Sequence, residues 1–454
     1  MNVHFIAIGG SAMHNLAIAL HQKGYKVTGS DDEIFEPSRT RLKTLGLLPE
    51  QDGWFTDRIH TGLDAVILGM HARKDNPELG KALELGLKVY SYPEYLYEQS
   101  KNKKRIVIGG SHGKTTITAM ILHVLRETGF DPDYMVGAKL EGFDVMVRLT
   151  EKSDLMVIEG DEYLTSPIDP RPKFHLYKPH IALISGIAWD HINVFPTWEN
   201  YIDQFRTFIK LIEPNGKLIY CQQDEALQQL ASEFLDKPNK QSYGLPNYKI
   251  SEGITYIIDN EHEYALRVFG NHNLLNLHGA WKICSELGIE DEQFVKAISS
   301  FPGAANRLEF VYASETCTVF RDFAHAPSKL EATLNAVKVQ FPERKLVACM
   351  ELHTFSSLSQ HFLPHFAHTM DKADYPVVYF NPHAIAHKKL VPITKQQVKE
   401  GFANERLLVF DDSHEMQDYL RSLEWNNKNL LMMSSGNYDG LNIKEFSAQL
   451  MNKK

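Results

Sequence analysis

One stretch constrains the possible folds of this chain more than any other: Arg105-Ile106-Val107-Ile108-Gly109-Gly110-Ser111-His112-Gly113-Lys114-Thr115-Thr116. An apolar strand runs into a glycine-rich turn, which opens at once into a helical pattern carried by Ile117, Met120, Ile121, Val124 and Leu125. Such a unit presents backbone N–H groups, the Lys114 ammonium and the Thr115 hydroxyl where a polyphosphate and its Mg²⁺ can sit. Gly110, Ser111, His112, Gly113, Lys114, Thr115 and Thr116 therefore read as a P-loop. The spacing Gly110-x-x-Gly113-Lys114-Thr115 is shorter by two residues than the common G-x-x-x-x-G-K-[ST].

Alternation of strands and helices extends this unit in both directions, as in parallel α/β sheets. Near the N-terminus, Val3 to Ile8 is a strand, Gly9-Gly10-Ser11 a turn, Ala12 to Leu20 a helix, and Lys26 to Asp32 a second strand with acids at its end. A strict G-x-G-x-x-G is missing, because Met13, His14 and Asn15 stand where further glycines would be, so a nucleotide diphosphate at that helix N-terminus fits better than a dinucleotide. Gly9, Gly10, Ser11 and Asp31 are its candidate contacts. Strands at 65–68 and 88–91 complete this unit, the charged stretch Gln99 to Arg105 ends it, and Lys101 to Arg105 is expected to be a solvated hinge.

The second unit continues from the P-loop to Leu155-Met156-Val157-Ile158-Glu159-Gly160-Asp161-Glu162, an apolar strand delivering a carboxylate at its end, where P-loop enzymes hold Mg²⁺. A further strand, His180 to Ser185, runs on to Trp189-Asp190-His191. In Gly270-Asn271-His272-Asn273-Leu274-Leu275-Asn276, the amides of Asn273 and Asn276 either read a purine edge or cap a helix. Arg307, in the loop 301–309, has the planar fork that suits a transferring phosphoryl group. From about residue 313 strand–helix alternation restarts; Asp322-Phe323-Ala324-His325 closes the first strand of this third sheet, and ligands of such sheets gather at strand ends. The fold class is thus α/β with three domains: a Rossmann-like N-terminal domain (1–103), a central P-loop ATPase domain (104–312) and a C-terminal Rossmann-like domain (313–454). The stretch 224–263 carries little chemical information.

A chain of 454 residues has room for three such cores. Its formal charge of −9, with Lys and Arg dispersed, excludes a nucleic-acid footprint. Its 4 cysteines form no C-x-x-C pair, so neither a zinc site nor a disulfide framework is indicated. The first residues lack a basic segment and no apolar run approaches a membrane span, so the expectation is a cytoplasmic protein with neither membrane nor nucleic-acid partner. A nucleotide-gated binding protein and a nicotinamide-dependent dehydrogenase are the rival classes. Glu159, His191 and Arg307 weigh against the first, and the poor glycine pattern against the second.

Taken in order, the P-loop, Glu159-Gly160-Asp161-Glu162, Asp190-His191, Gly270-Asn271-His272-Asn273-x-x-Asn276, Arg307 and Asp322-Phe323-Ala324-His325 resemble the Mur ligase family. The resemblance implies an ATP-dependent amide ligase whose domains bind a UDP-linked muramoyl acid, ATP with Mg²⁺, and an incoming amine. It also implies roles. Lys114 and the loop N–H groups neutralise the β- and γ-phosphates, Thr115 and Glu159 hold one Mg²⁺, Glu159 and His191 another, and Arg307 and Asp322 arrive from the domain boundary. His325 is available as the base that deprotonates the amine, and domain closure excludes water.

Thr28 to Ser38, and Glu162-Tyr163 with the added Asp169-Pro170-Arg171-Pro172-Lys173-Phe174, resemble family members that join UDP-N-acetylmuramate to the tripeptide L-Ala-γ-D-Glu-meso-diaminopimelate, more than those that take free L-alanine. The partners expected are therefore UDP-N-acetylmuramate and a peptide or amino-acid amine. His383, Lys388 and Lys389, after the strand 377–380, are candidate anchors for extra peptide carboxylates; the alternative is a solvated basic loop. Ala7, His14 and Asn15 depart from the family's small residues, Asn306 precedes Arg307 where arginine is common, and Ala326 replaces a frequent histidine. Arg206 stands where some members carry a carbamoylated lysine.

Overall fold

The structure is a computed structural model that describes residues 1–451 apart from 139, 141, 144, 190–193, 236–238 and 305–306. The chain forms two compact units, one of Met1–Leu245 with Leu275–Ile298 and one of Pro246–Leu274 with Ser299–Lys454.

In the first unit, β1 (Asn2–Ile6), β2 (Lys26–Ser30), β3 (Ala65–Leu68) and β4 (Val89–Ser91) form a parallel sheet in the order β2-β1-β3-β4. Ile6, Val66 and Leu68 pack on Leu79 and Ala82 of a covering helix. The turn after β1 holds Ala7 at φ +69°, in the left-handed region where glycine is the unstrained residue. A larger sheet follows, built from β5 (Lys104–Gly109), β6 (Asp133–Met135), β7 (Val147–Arg148) and β8 (Leu155–Glu159). A small antiparallel hairpin, β9 (Leu164–Ser166) and β10 (Asp169–Pro172), precedes its remaining strands β11 (Ile181–Ile184), β12 (Lys217–Cys221) and β13 (Lys240–Tyr243). The order is β13-β12-β11-β5-β8-β6-β7, with only the β6–β7 pair antiparallel. Ile106, Val107 and Ile108 are fully buried, which is why β5 reads as an unbroken apolar run rather than an alternating one.

In the second unit, β14 (Tyr248–Ser251), β15 (Ile254–Asp259) and β16 (His262–Leu266) form an antiparallel meander within the stretch that sequence patterning left blank. Along β15 buried Thr255 and Ile257 alternate with more exposed neighbours, a one-sided sheet too short to stand out from loop sequence. The larger sheet holds β17 (Glu309–Ala313), β18 (Thr318–Asp322), β19 (Lys345–Leu352), β20 (Tyr375–Phe380), β21 (Leu408–Phe410) and β22 (Lys428–Met433) in the order β17-β18-β22-β19-β20-β21, parallel except for the β17 edge. Its two faces form separate cores. Phe320, Ala348, Met350 and Val378 lie in one, while Val319, Val347, Cys349 and Val377 lie in the other.

Two expectations need correction. The stretch ending at Arg105 is not a solvated hinge throughout, since Arg105 is 1% exposed within β5. Its guanidinium donates to the carbonyls of Ser100, Lys101 and Tyr177 and pairs with Glu213 at 3.0 Å, so burial of the charge is compensated. The segment after β20 is not a loop: Asn381 caps the short helix Pro382–His387 by accepting from the N–H groups of His383 and Ala384. The 4 cysteines are all buried and unbridged. Among the described residues, no helix is long and apolar enough to cross a membrane.

Candidate active site

The P-loop of the first unit follows β5 and opens into the helix Lys114–Glu127. Two of its positions require glycine for a physical reason. Gly110 has φ +126°, and a Cβ there would lie 2.2 Å from Ser185 Oγ; Gly113 has φ +76°, and its Cβ would lie 2.2 Å from Asn276 Oδ1. Asn276, from the helix Asn271–Glu286, thus leans directly on the loop. The loop is tied down by Ser111 N donating to Gly186 O at 3.0 Å, and by the Ser111 hydroxyl, which accepts from Ala188 N at 2.7 Å and contacts Tyr201 Oη at 3.1 Å.

Register brings the acids to this loop. β5 pairs with β8 so that Ile108 lies opposite Glu159, delivering that carboxylate beside the start of the P-loop. Thr115 Oγ1 donates to Glu159 Oε1 at 2.8 Å and Gly137 N donates to Oε2 at 2.8 Å. Burial raises the Glu159 pKa above the usual carboxylate value, while those two donors and Lys114 pull it back. Lys114 Nζ donates to Gly110 O at 2.6 Å and to Glu162 Oε2 at 2.7 Å. Burial works against its charge, but Glu162 and Asp161 hold its pKa above the ordinary lysine value. Burial likewise opposes ionisation of Asp161, and Lys173, at 2.5 Å, with Lys114 overcomes it and lowers that pKa.

A hydroxyl and a carboxylate converging on a buried polar spot are the hard oxygen donors that Mg²⁺ selects. A Cβ on Gly137 would lie 2.9 Å from Glu159 Oε1, so the backbone there leaves the carboxylate its place. Thr115 and Glu159 therefore fit such an ion. The third expected ligand, His191, with Asp190, lies outside the described residues, and among the described residues no group of three His, Cys, Asp or Glu is gathered for a metal.

A cavity of about 570 Å³ in the same unit is lined by Gly9, Gly10, Ser11 and Asp31, all four of the candidate diphosphate-site residues, together with Phe35 and Arg41. Gly9 N donates to Asp31 Oδ2 at 2.7 Å. Burial, with Asp32 alongside, pushes the Asp31 carboxyl up to about 7 against that hydrogen bond. Phe35 is 66% exposed, and Arg41 was not singled out from sequence, where it is one basic residue among several in Arg39-Thr40-Arg41-Leu42-Lys43.

In the second unit Asp322, at the end of β18, is a clamp. Its Oδ2 accepts from Leu308 N at 2.6 Å and its Oδ1 from Ala324 N at 2.7 Å, which fixes the backbone beside Arg307. The Arg307 guanidinium lies 4.9 Å over the Phe323 ring, and His325 Nδ1 contacts Phe323 O at 2.8 Å. Asn273 Nδ2 donates back to Phe269 O at 3.0 Å, a bond within its own segment, so the two amides read together in the sequence do different things locally. Lys388 Nζ lies 4.7 Å over the exposed Phe355 ring, and Lys389 takes φ +55° after the short helix. Glu162, Asp161 and Lys173 complete the P-loop cluster without having been chosen from sequence as site residues. For Asp161 and Glu162 the signal was their place beside Glu159; Lys173 joins through Asp161.

A P-loop at the carboxyl edge of a parallel sheet, with a buried acid from the neighbouring strand facing its hydroxyl, defines a nucleotide-dependent phosphoryl-transfer enzyme. Comparison with known proteins makes the class specific. The Mur ligase family catalytic domain matches residues 2–104, the Mur ligase middle domain 108–284 and the Mur ligase glutamate ligase domain 306–436. The UDP-N-acetylmuramate–L-alanine ligase of Clostridium tetani is 32% identical over 81% of this chain and 81% of its own. The UDP-N-acetylmuramate–L-alanyl-gamma-D-glutamyl-meso-2,6-diaminoheptandioate ligase of Haemophilus influenzae is 28% identical over 98% of each chain. In structure, the UDP-N-acetylmuramate–alanine ligase of Thermotoga maritima covers 100% of both chains at 21% identity with a TM-score of 0.71, a likeness of fold. The chain belongs to the Mur ligase family. It is an ATP-dependent carboxylate–amine ligase that forms ADP.

Proposed function

We propose that this ligase joins UDP-N-acetylmuramate to L-Ala-γ-D-Glu-meso-diaminopimelate in the cytoplasm, returning recovered wall peptide to peptidoglycan synthesis. The observation that carries the reading is the Haemophilus influenzae relative, which aligns over 98% of each chain. The stretches Thr28–Ser38 and Asp169–Phe174 support it from sequence.

A carboxylate does not condense with an amine at neutral pH, because its oxygen is a poor leaving group. Transfer of the ATP γ-phosphoryl group to the muramoyl carboxylate gives an acyl phosphate and ADP; attack by the free amine forms the amide and expels phosphate, and the amine's proton passes to a base. Lys114 and the Gly110–Thr116 N–H groups bind the β- and γ-phosphates, with Asn276 packed on the loop they line. Asn273 offers the second amide of the nucleotide site. Arg307 meets the charge that develops on the transferring group, Asp322 fixes the backbone that carries it, and His325 is the base available to the amine. Mg²⁺, held by Thr115, Glu159 and His191, supplies charge neutralisation at the phosphoryl oxygens when bound. Gly9, Gly10, Ser11 and Asp31 hold the nucleotide end of the muramoyl substrate. His383, Lys388 and Lys389 pair with the extra carboxylates that only the peptide brings.

The Clostridium tetani relative, at 32% identity, favours a second reading in which the amine is free L-alanine. Steady-state kinetics with UDP-N-acetylmuramate, ATP and each amine separates the two. The tripeptide should exceed L-alanine in kcat/KM, and Lys388→Ala with Lys389→Ala should lower use of the tripeptide roughly tenfold more than use of alanine. Equal or better use of L-alanine by the parent enzyme makes it the alanine-adding ligase and leaves the acyl-phosphate chemistry standing.

A further inference from the structure

The cavity beside the N-terminal glycine turn contains a cation held in an unusual way. Arg41 lines it, half-buried, and among the described residues no carboxylate pairs with its guanidinium. Its Nη1 instead meets two neutral groups of the neighbouring helix, His14 Nε2 at 2.9 Å and Asn15 Oδ1 at 2.8 Å. Both partners are buried, His14 at 2% and Asn15 at 0% exposure, so neither can swing away to water.

The histidine's other nitrogen settles its state. His14 Nδ1 lies 2.9 Å from Gly10 O, an acceptor only, so Nδ1 carries the proton and Nε2 presents a lone pair to Arg41. Ser38 Oγ, at 3.0 Å from the same Nδ1, holds the ring from the other side. Burial and the nearby Arg41 both lower the His14 pKa, which keeps the ring neutral. Asn15 is fixed in turn by Ser11 O, which accepts from Nδ2 at 2.7 Å, and by Met146 N, which donates to Oδ1 at 3.4 Å. Neutral partners orient a guanidinium without cancelling its charge. An acid in either place would hold the arginine equally well and spend its field.

That field has a direction. The helix Ser11–Gln22 starts at Gly10 with no side-chain cap and no acid in its first turn, so its N–H groups open onto the same cavity. Asp31, Asp32, Glu33 and Glu36 also line the cavity, with Asp31 accepting from Gly9 N, and Arg41 is the one arginine or lysine among the described lining residues. The nucleotide end of a UDP-sugar brings a dianionic pyrophosphate for the arginine and ribose hydroxyl donors for the acids.

We propose that Arg41 is the side chain that binds the pyrophosphate of the nucleotide-sugar substrate, and that His14 and Asn15 are positioning residues that aim it. The inference rests on the UDP-N-acetylmuramate reading and adds the residues that read its phosphates. It also accounts for His14 and Asn15, two departures from the family's small residues, as the support that an arginine at position 41 requires.

Isothermal titration calorimetry of the full chain with UDP and with uridine tests it, alongside thermal unfolding to show that each variant is folded. Arg41→Ala should weaken UDP binding roughly ten- to a hundredfold and leave uridine binding within about twofold, because the arginine reads phosphate rather than base or ribose. Arg41→Lys should recover part of the loss. His14→Leu should weaken UDP in the same phosphate-dependent way, whereas His14→Gln, which keeps an acceptor, should weaken it less. UDP binding by Arg41→Ala within about twofold of the parent overturns the inference, as does an equal loss for UDP and uridine. A parent chain that binds uridine and UDP alike also overturns it while sparing the ligase assignment; a parent that binds neither overturns the UDP-N-acetylmuramate reading along with it.

Discussion

Lys114 Nζ, in the first turn of the P-loop helix, lies 2.7 Å from Oε2 of Glu162, whose side chain is 1% exposed. The lysine expected to serve only phosphate is thus also the counter-charge of a buried acid. Lys114→Ala should abolish most turnover, by about 100-fold or more as for the loss of an electrostatic group. It should also cost about 3 kcal/mol of stability, because a buried carboxylate loses its counter-charge. Adding Glu162→Gln should return the stability and not the activity. Melting curves and turnover of both variants check this; a single variant that melts like the parent and retains activity within twofold removes Lys114 from both roles.

Gly113 is pinned by a neighbour on the helix Asn271–Glu286. With φ +76° and Asn276 Oδ1 2.2 Å from the position of a Cβ, Gly113→Ala should displace the Asn276 amide and raise the KM for ATP severalfold or more. Gly113→Ala with Asn276→Gly removes the clash but not the positive φ, so its stability should recover only in part. Identical ATP affinity in Gly113→Ala and the parent would show that the loop does not depend on this contact.

Burial and the Arg307 guanidinium lower the pKa of His272 to about 4 from 6.5. Between these values the unfolded chain takes up a proton that the folded one refuses. The stability that neutral His272 allows is therefore whole above pH 6.5 and is lost as the pH falls towards 4, at most roughly 3 kcal/mol. His272→Gln should flatten the fall in urea midpoint across this window. Parallel pH curves for variant and parent would place the titration elsewhere.

Arg206, on the helix Trp198–Lys210, stands where the family resemblance allows a carbamoylated lysine. Its Nε and Nη2 form a bidentate pair with Glu233 at 2.7 and 3.0 Å, and Nη1 adds Glu199 and Asp203. Those acids raise its pKa further, so no neutral amine exists to take up CO₂. Activity should be equal in CO₂-free and bicarbonate-supplemented buffer, and an intact mass measurement should find no added carboxylate at this residue.

The strands at 106–108, 156–158, 346–350 and 430–433 were legible because a strand buried on both faces must be apolar at every position, which the sequence writes out in full. The P-loop was legible because its chemistry is local: strand, glycines, lysine and hydroxyl are consecutive. So was the arrival of Glu159, since a strand end needs no partner to be recognised. What the sequence could not decide was which charges meet. Lys114 and Glu162 are 48 positions apart, and Arg41 reaches His14 across 27. Arg105 looked like the lysines before it until carbonyls from Tyr177 and Lys178 folded over its guanidinium. The meander at 248–266 was missed because a short half-exposed sheet pairs through backbone groups that every residue carries. Periodicity records how a residue faces the core; the partner of a buried polar group depends on register and crossover, which only the packed sheets fix.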